Sequence, residues 1–191
     1  MDPAQDNRNL TIYRLQSAFA TEYGTFLGVA WLVCFALYVG GLRTANAFLL
    51  LLAMLVLIAL PALAFYLAHR YKQKLPENTK IGFPKAYWFA ASMFIYATLL
   101  TGAGEFFYFK MMDHGALIGT FYDLMDDPST LQTYRQIGME NSLTFLRDTL
   151  DQLAALSPLE MVLALFNQNI FISLILAIPT AYFARKTSPN S

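Results

Sequence analysis

The chain has 191 residues, of which 57% are apolar, 15% aromatic and 14% charged, and its thirteen Lys and Arg balance thirteen Asp and Glu. A soluble domain carries about a quarter charged residues, so this composition excludes a disordered chain, and the lack of a basic stripe argues against a nucleic-acid partner. The single cysteine excludes an internal disulfide framework and a cysteine-based metal site.

What remains is an integral membrane protein. Four segments contain no Asp, Glu, Lys or Arg: Tyr23–Leu42, Thr44–His69, Ala86–Gly104 and Met161–Ala184. Each reaches or exceeds the roughly 18 apolar residues of a spanning candidate. The segment before the first run mixes Asp2, Asp6 and Glu22 with Arg8 and Arg14. That mixture, and a run longer than the ~7–15 residues of a signal-peptide core, favour a retained first span although Ala45-Asn46-Ala47 resembles a cleavage site. Ala20, Gly24 and Gly28 recur every four residues at its start. Such spacing lets another helix approach closely, from the same chain or from a second copy in a homodimer.

The turn at Arg43 is short enough to make spans one and two an antiparallel hairpin, and Pro61 and Pro179 are expected to kink spans two and four. Arg70, Lys72, Lys74, Lys80 and Lys85 fill the next connection. With Arg8, Arg14, Arg185 and Lys186 they outnumber Arg43, Lys110, Arg135 and Arg147 on the other side, which predicts both termini in the cytoplasm and, for a bacterial protein, a place in the inner membrane. Tyr87 and Trp88 open span three and Phe106–Phe109 close it, as interfacial aromatic residues do. The expected spans are about 20–42, 45–69, 86–109 and 158–184, in a single all-α, polytopic domain.

An outer segment of about 113–157 separates spans three and four. Asp127-Pro128 and Ser157-Pro158 both read as helix starts, and Glu160 completes a capping box with Ser157. Met139, Leu143, Leu146, Leu150 and Leu153 recur at intervals of three and four, the stripe of an amphipathic helix, with a break at Gly138. The stripe fits the lipid interface, the top of the bundle or a partner. Seven acids against two arginines in this segment disfavour anionic lipid, which attracts Lys- and Arg-rich helices.

Glu105 interrupts the apolar run near the outer end of span three. An ionisable group at membrane depth costs several kcal/mol unless paired or hydrated, so it is either a functional group or an interfacial one. Asn167, Gln168 and Asn169 form a polar notch in span four, where amides bond between helices or form a polar path with Glu105. Asn167 and Asn169 diverge by about 200° around the helix and do not share a partner. Asp123-x-x-Asp126-Asp127 superficially resembles an acid cluster that holds Mg²⁺, but Asp127 fits better as a helix cap. His69 and His114 lack a second ligand at metal spacing. No nucleophile–base pair or phosphate-cradling loop is legible, so neither metal nor cofactor is expected and an enzyme is the weakest reading.

The order of motifs itself carries a resemblance. A span opens Glu22-Tyr23-Gly24 and ends in a Gly-Gly turn; a basic loop precedes Ile81-Gly82-Phe83-Pro84-Lys85-Ala86; the outer segment holds Asp127-Pro128, and a last span runs from Ser157-Pro158 through Asn169 to Arg185-Lys186. This resembles a Bacteroidota family of four-span membrane proteins catalogued as a domain of unknown function. The resemblance implies no catalytic residues. It implies an association with glycosyltransferases that act on polyprenyl phosphate, and hence a membrane-protein partner of that type. The expectation is a non-enzymatic accessory or scaffold subunit in envelope glycan or lipid-carrier metabolism, in contact with membrane lipid and with a partner or its own copies. The alternative is a small oligomeric transporter or lipid flippase.

Overall fold

The computed structural model describes residues 3–76 and 79–186, with side chains from Tyr13 onward other than that of Glu140. Asp2 lies outside the described residues, as do the side chains of Asp6 and Arg8. The helices are α1 (Pro3–Arg43), α2 (Ala47–Lys74), α3 (Phe83–Tyr108) running into a π-helical turn (Phe109–Asp113), α4 (Ala116–Asp126), α5 (Pro128–Gln136), α6 (Glu140–Ala154) and α7 (Pro158–Ala184). Among the described residues there is no strand, only a single antiparallel bridge between Ile81 and Lys186. Tyr13–Arg43, α2, Phe83–Asp113 and α7 are each long and apolar enough to cross a membrane. The chain is an all-α polytopic membrane protein.

α3 packs between α1 and α7, and α2 closes the bundle against the other sides of those two helices. Small residues decide how close they come. A Cβ added at Gly24 would lie 2.6 Å from the Met93 carbonyl oxygen and 2.7 Å from the Tyr96 Cβ; at Gly28 it would lie 3.0 Å from the Ala97 carbonyl oxygen. Ala20 is fully buried in the same core cluster. Gly24 and Gly28 are therefore packed against α3 of the same chain. Pro61 and Pro179 both sit inside continuous helices.

The end of the bundle that carries both termini is densely tied. Tyr71 stacks on Phe89 with ring centroids 3.8 Å apart, and the Lys74 Nζ lies 4.9 Å from the Phe19 ring centroid. Lys186 is buried, and its Nζ donates to the carbonyls of Leu75 and Pro76 at 3.4 Å each. Its backbone exchanges hydrogen bonds with Ile81 at 2.9 and 3.1 Å. So two of the cations that set the expected topology, Lys74 and Lys186, also pin the connection between α2 and α3.

The opposite end carries a cap of three short helices. His114 and Gly115 adopt left-handed backbone (φ 46° and 82°) and turn the chain from α3 into α4. Asp127 accepts hydrogen bonds from the Ser129 and Thr130 amides and starts α5, as the sequence predicts. Gly138, at φ 69°, separates α5 from α6, and the Ser157–Glu160 capping box launches α7. α4 is a helix beyond those expected in the outer segment, although Leu117, Phe121 and Met125 recur at helical spacing.

Candidate functional site

Between the cap and the bundle lies a chamber of about 310 Å³. α1 contributes Trp31, Phe35 and Tyr38; α4 contributes Leu117, Ile118 and Phe121; α6 contributes Leu150 and Leu153; α7 contributes Met161 and Leu165. Phe109 of the π-helical turn adds to the apolar wall, and Glu105 of α3 and Asn169 of α7 also line the chamber.

Glu105 is only 4% exposed, and its Oε2 is a buried atom with no hydrogen-bond partner among the described residues. It lies one turn before the π-helical turn, where an extra residue per turn re-aims the side chains that follow; such bulges recur at functional sites. Asn169 is half-buried, whereas Asn167 and Gln168 are exposed along the same turn, and of the three Asn169 borders the chamber. The notch thus divides as helical geometry requires: Asn169 joins Glu105, and Asn167 points elsewhere.

The roof is held by polar contacts between α4 and α6. Tyr122 donates its hydroxyl to the Asp151 Oδ1, and Arg147 pairs with Asp126 at 2.5 Å. The Asp151 carboxylate pushes the Tyr122 phenol above its ordinary value, chiefly through that hydrogen bond. Of the stripe predicted on α6, Leu150 and Leu153 face the chamber. Leu143 lines a separate cleft among α4, α5 and α6, and Met139 and Leu146 are exposed. One periodic row therefore serves three environments.

The acid cluster resolves into structural roles. Asp126 pairs with Arg147 and Asp127 caps α5, where the Ser129 hydroxyl and the Thr130 amide hold its carboxyl below the ordinary range. No group of three His, Cys, Asp or Glu is placed to hold a metal ion among the described residues. Cys34 is buried on α1, and its Sγ lies 3.3 Å from the Ala53 carbonyl of α2. Asp113 is a structural residue that sequence reasoning does not single out. It is 3% exposed and accepts hydrogen bonds from the Tyr108 hydroxyl (2.7 Å) and from the amides of Gly115 (3.1 Å) and Leu117 (3.0 Å), anchoring the cap to the end of span three. The Asp-x-Gly pattern of a turn is its one local signal.

Residues 22–186 match the family described as "Protein of unknown function (DUF4199)". The chain belongs to that family. No curated protein and no solved structure matches it. The DUF4199 match takes in α2 through α7 and about half of α1, and so contains every residue that lines the chamber.

Proposed function

We propose that this DUF4199 protein is a non-enzymatic membrane protein that holds an amphipathic molecule in the chamber under its cap. The apolar body lies against Trp31, Phe35, Phe121 and Leu165, and a hydrogen-bond-donating group reaches Glu105 and Asn169. The unpartnered Glu105 Oε2 carries this reading. Buried polar atoms are nearly always paired, because leaving one unpaired costs about 1–3 kcal/mol. A donor brought by a ligand removes that cost. The chamber volume of about 310 Å³ is at the small end of the range for small-molecule sites, about 300–1,000 Å³, and exceeds the ~30 Å³ share of one water roughly tenfold.

The distribution of Lys and Arg supports a bacterial inner-membrane location with both termini cytoplasmic, which sets the chamber at the level of the outer leaflet under an amphipathic α6. Lipid-carrier or envelope-glycan intermediates are amphiphiles of the required kind, and a small oligomeric transporter or flippase would use the same site. A second reading has its own support. Phe145 (71% exposed), Ile137 (58%) and Met139 (46%) face outward from the cap. They suit an accessory role against a membrane-protein partner, of which a polyprenyl-phosphate glycosyltransferase is the leading example.

Native mass spectrometry of the protein in mild detergent tests the first reading. The wild-type chain should retain a small molecule that Glu105→Leu releases while keeping its helical content. If the wild-type chain is empty in both detergent and nanodiscs, and Glu105→Leu is simply more stable, the chamber holds no ligand and the reading fails.

A further inference from the structure

On the outside of the bundle, at the end bearing the cap, α1 and α3 leave a groove of about 440 Å³. Ala36, Gly40 and Gly104 form its floor, Phe107 and Met112 are its exposed walls, and Arg43 stands at its end. We propose that this groove binds an anionic phospholipid, with an acyl chain along the floor and the phosphate on Arg43.

The groove lies on the surface of two spans, so hydrocarbon covers it. A chain that fills it recovers the dispersion contacts that a void at close packing forfeits. Arg43 is the last residue of α1, at the end of its apolar run, where headgroups lie. It is exposed and makes no ion pair with a carboxylate among the described residues. It lines the groove together with Tyr108, and a guanidinium has five donors in a fork that matches phosphate.

The acid that meets the lining is engaged: Asp113 is buried and uses both carboxyl oxygens on Tyr108, Gly115 and Leu117. The groove thus has one apolar trough, one exposed cation at the end of an apolar run and no carboxylate lining it. It shares the Phe35 ring with the chamber, but neither Arg43 nor Ala36 lines the chamber, so this site stands independently of the ligand on Glu105.

Delipidated protein in a neutral detergent would be titrated with phosphatidylglycerol and the bound lipid counted by native mass spectrometry. Phosphatidylcholine and diacylglycerol of the same chain length, and inorganic phosphate, complete the series. One phosphatidylglycerol should bind saturably. Arg43→Gln should weaken it by about tenfold or more, the loss of charge-assisted hydrogen bonds. Ala36→Trp, where the new ring fills the trough, should weaken it comparably, and Glu105→Leu should leave it unchanged. Undiminished binding to Arg43→Gln or to Ala36→Trp overturns the site. Equal affinity for phosphatidylcholine or diacylglycerol overturns the anionic assignment, and equal affinity for inorganic phosphate overturns the lipid.

Discussion

Gly24→Ala tests a close contact in the bundle whose neighbours cannot swing away. The new Cβ would stand 2.6 Å from the Met93 carbonyl oxygen, about 0.8 Å inside the 3.4 Å at which ordinary van der Waals contact begins, and 2.7 Å from the Tyr96 Cβ. Neither neighbour is the end of a flexible side chain, so α1 and α3 must separate. Overpacking of this kind costs about 1–3 kcal/mol, and the better helix propensity of alanine offsets at most about 1 kcal/mol. The expected net loss is about 1–2 kcal/mol, close to a tenfold change in the folding equilibrium. Gly119→Ala is the matched control: it is also helical, and nothing lies within 4 Å of its added Cβ. That variant should be neutral or more stable. SDS-induced unfolding in mixed micelles, followed by the fluorescence of Trp31 and Trp88, measures both. Equal stability of the two variants would refute the close α1–α3 contact. Loss of a native dimer mass in Gly24→Ala without loss of stability would show that this face serves a second copy after all.

Two further outcomes follow from the hydrogen bonds at the ends of the bundle. Because the folded Asp127 carboxyl is held below its ordinary value, its stabilisation of α5 is present above the unfolded value of about 3.9 and is lost as pH falls through the folded value. Amide exchange at Ser129 and Thr130, corrected for intrinsic rate, should therefore accelerate below about pH 4 relative to Asp127→Asn, in which this pH dependence disappears; a parallel course in both proteins contradicts the cap. Lys186→Met keeps the apolar stem and removes the donor to Leu75 and Pro76. It should cost about 1 kcal/mol and speed exchange of the Ile81 amide without affecting amides within α3, and unchanged exchange at Ile81 would show that the backbone bridge alone holds this connection.

The four membrane helices are legible in the sequence because a charge-free run of that length is long enough to cross the hydrocarbon, and four of them leave too little polar chain to wrap a soluble core. Asp127, Gly138 and Ser157 are equally legible, since each acts on its own backbone within three residues. α4 escapes sequence reasoning for a physical reason: it begins after a left-handed His114-Gly115 turn instead of a capping side chain at its own N-terminus, and its cap is supplied by Asp113 from the preceding turn. Glu105 stands out as a candidate, but its burial depends on how α3 packs between its neighbours, a tertiary outcome with no local signal. The Ala20/Gly24/Gly28 spacing announces a close contact and leaves the partner open, because the same pattern serves any helix that fits. The Arg43 groove is invisible for a related reason: Ala36, Gly40 and Gly104 come from two helices about sixty residues apart.

The two ends of the bundle are packed on different principles, and that difference bears on function. At the end with the termini, half of the buried core cluster is alanine, including Ala64, Ala68, Ala86, Ala90, Ala97 and Ala177, and the helices close on one another around Tyr71, Phe89 and Met93. At the capped end the buried cluster reduces to Val39, Phe109, Leu117 and Val162, with Phe35, Phe121, Met161 and Leu165 only partly buried against it. Bulky rings there line the chamber and the groove, although α1 and α3 still approach closely where Gly104 meets Leu32. Phe35 meets Tyr108 edge-on at 5.4 Å and Phe109 at 6.1 Å, and this aromatic partition stands between the chamber and the groove. An interior that is close-packed everywhere has no use for such a partition, since each void forfeits dispersion energy. A bundle densely packed at one end and open at the other can keep its fold while a bound molecule supplies the missing contacts. The unpaired Glu105 oxygen lies at that open end.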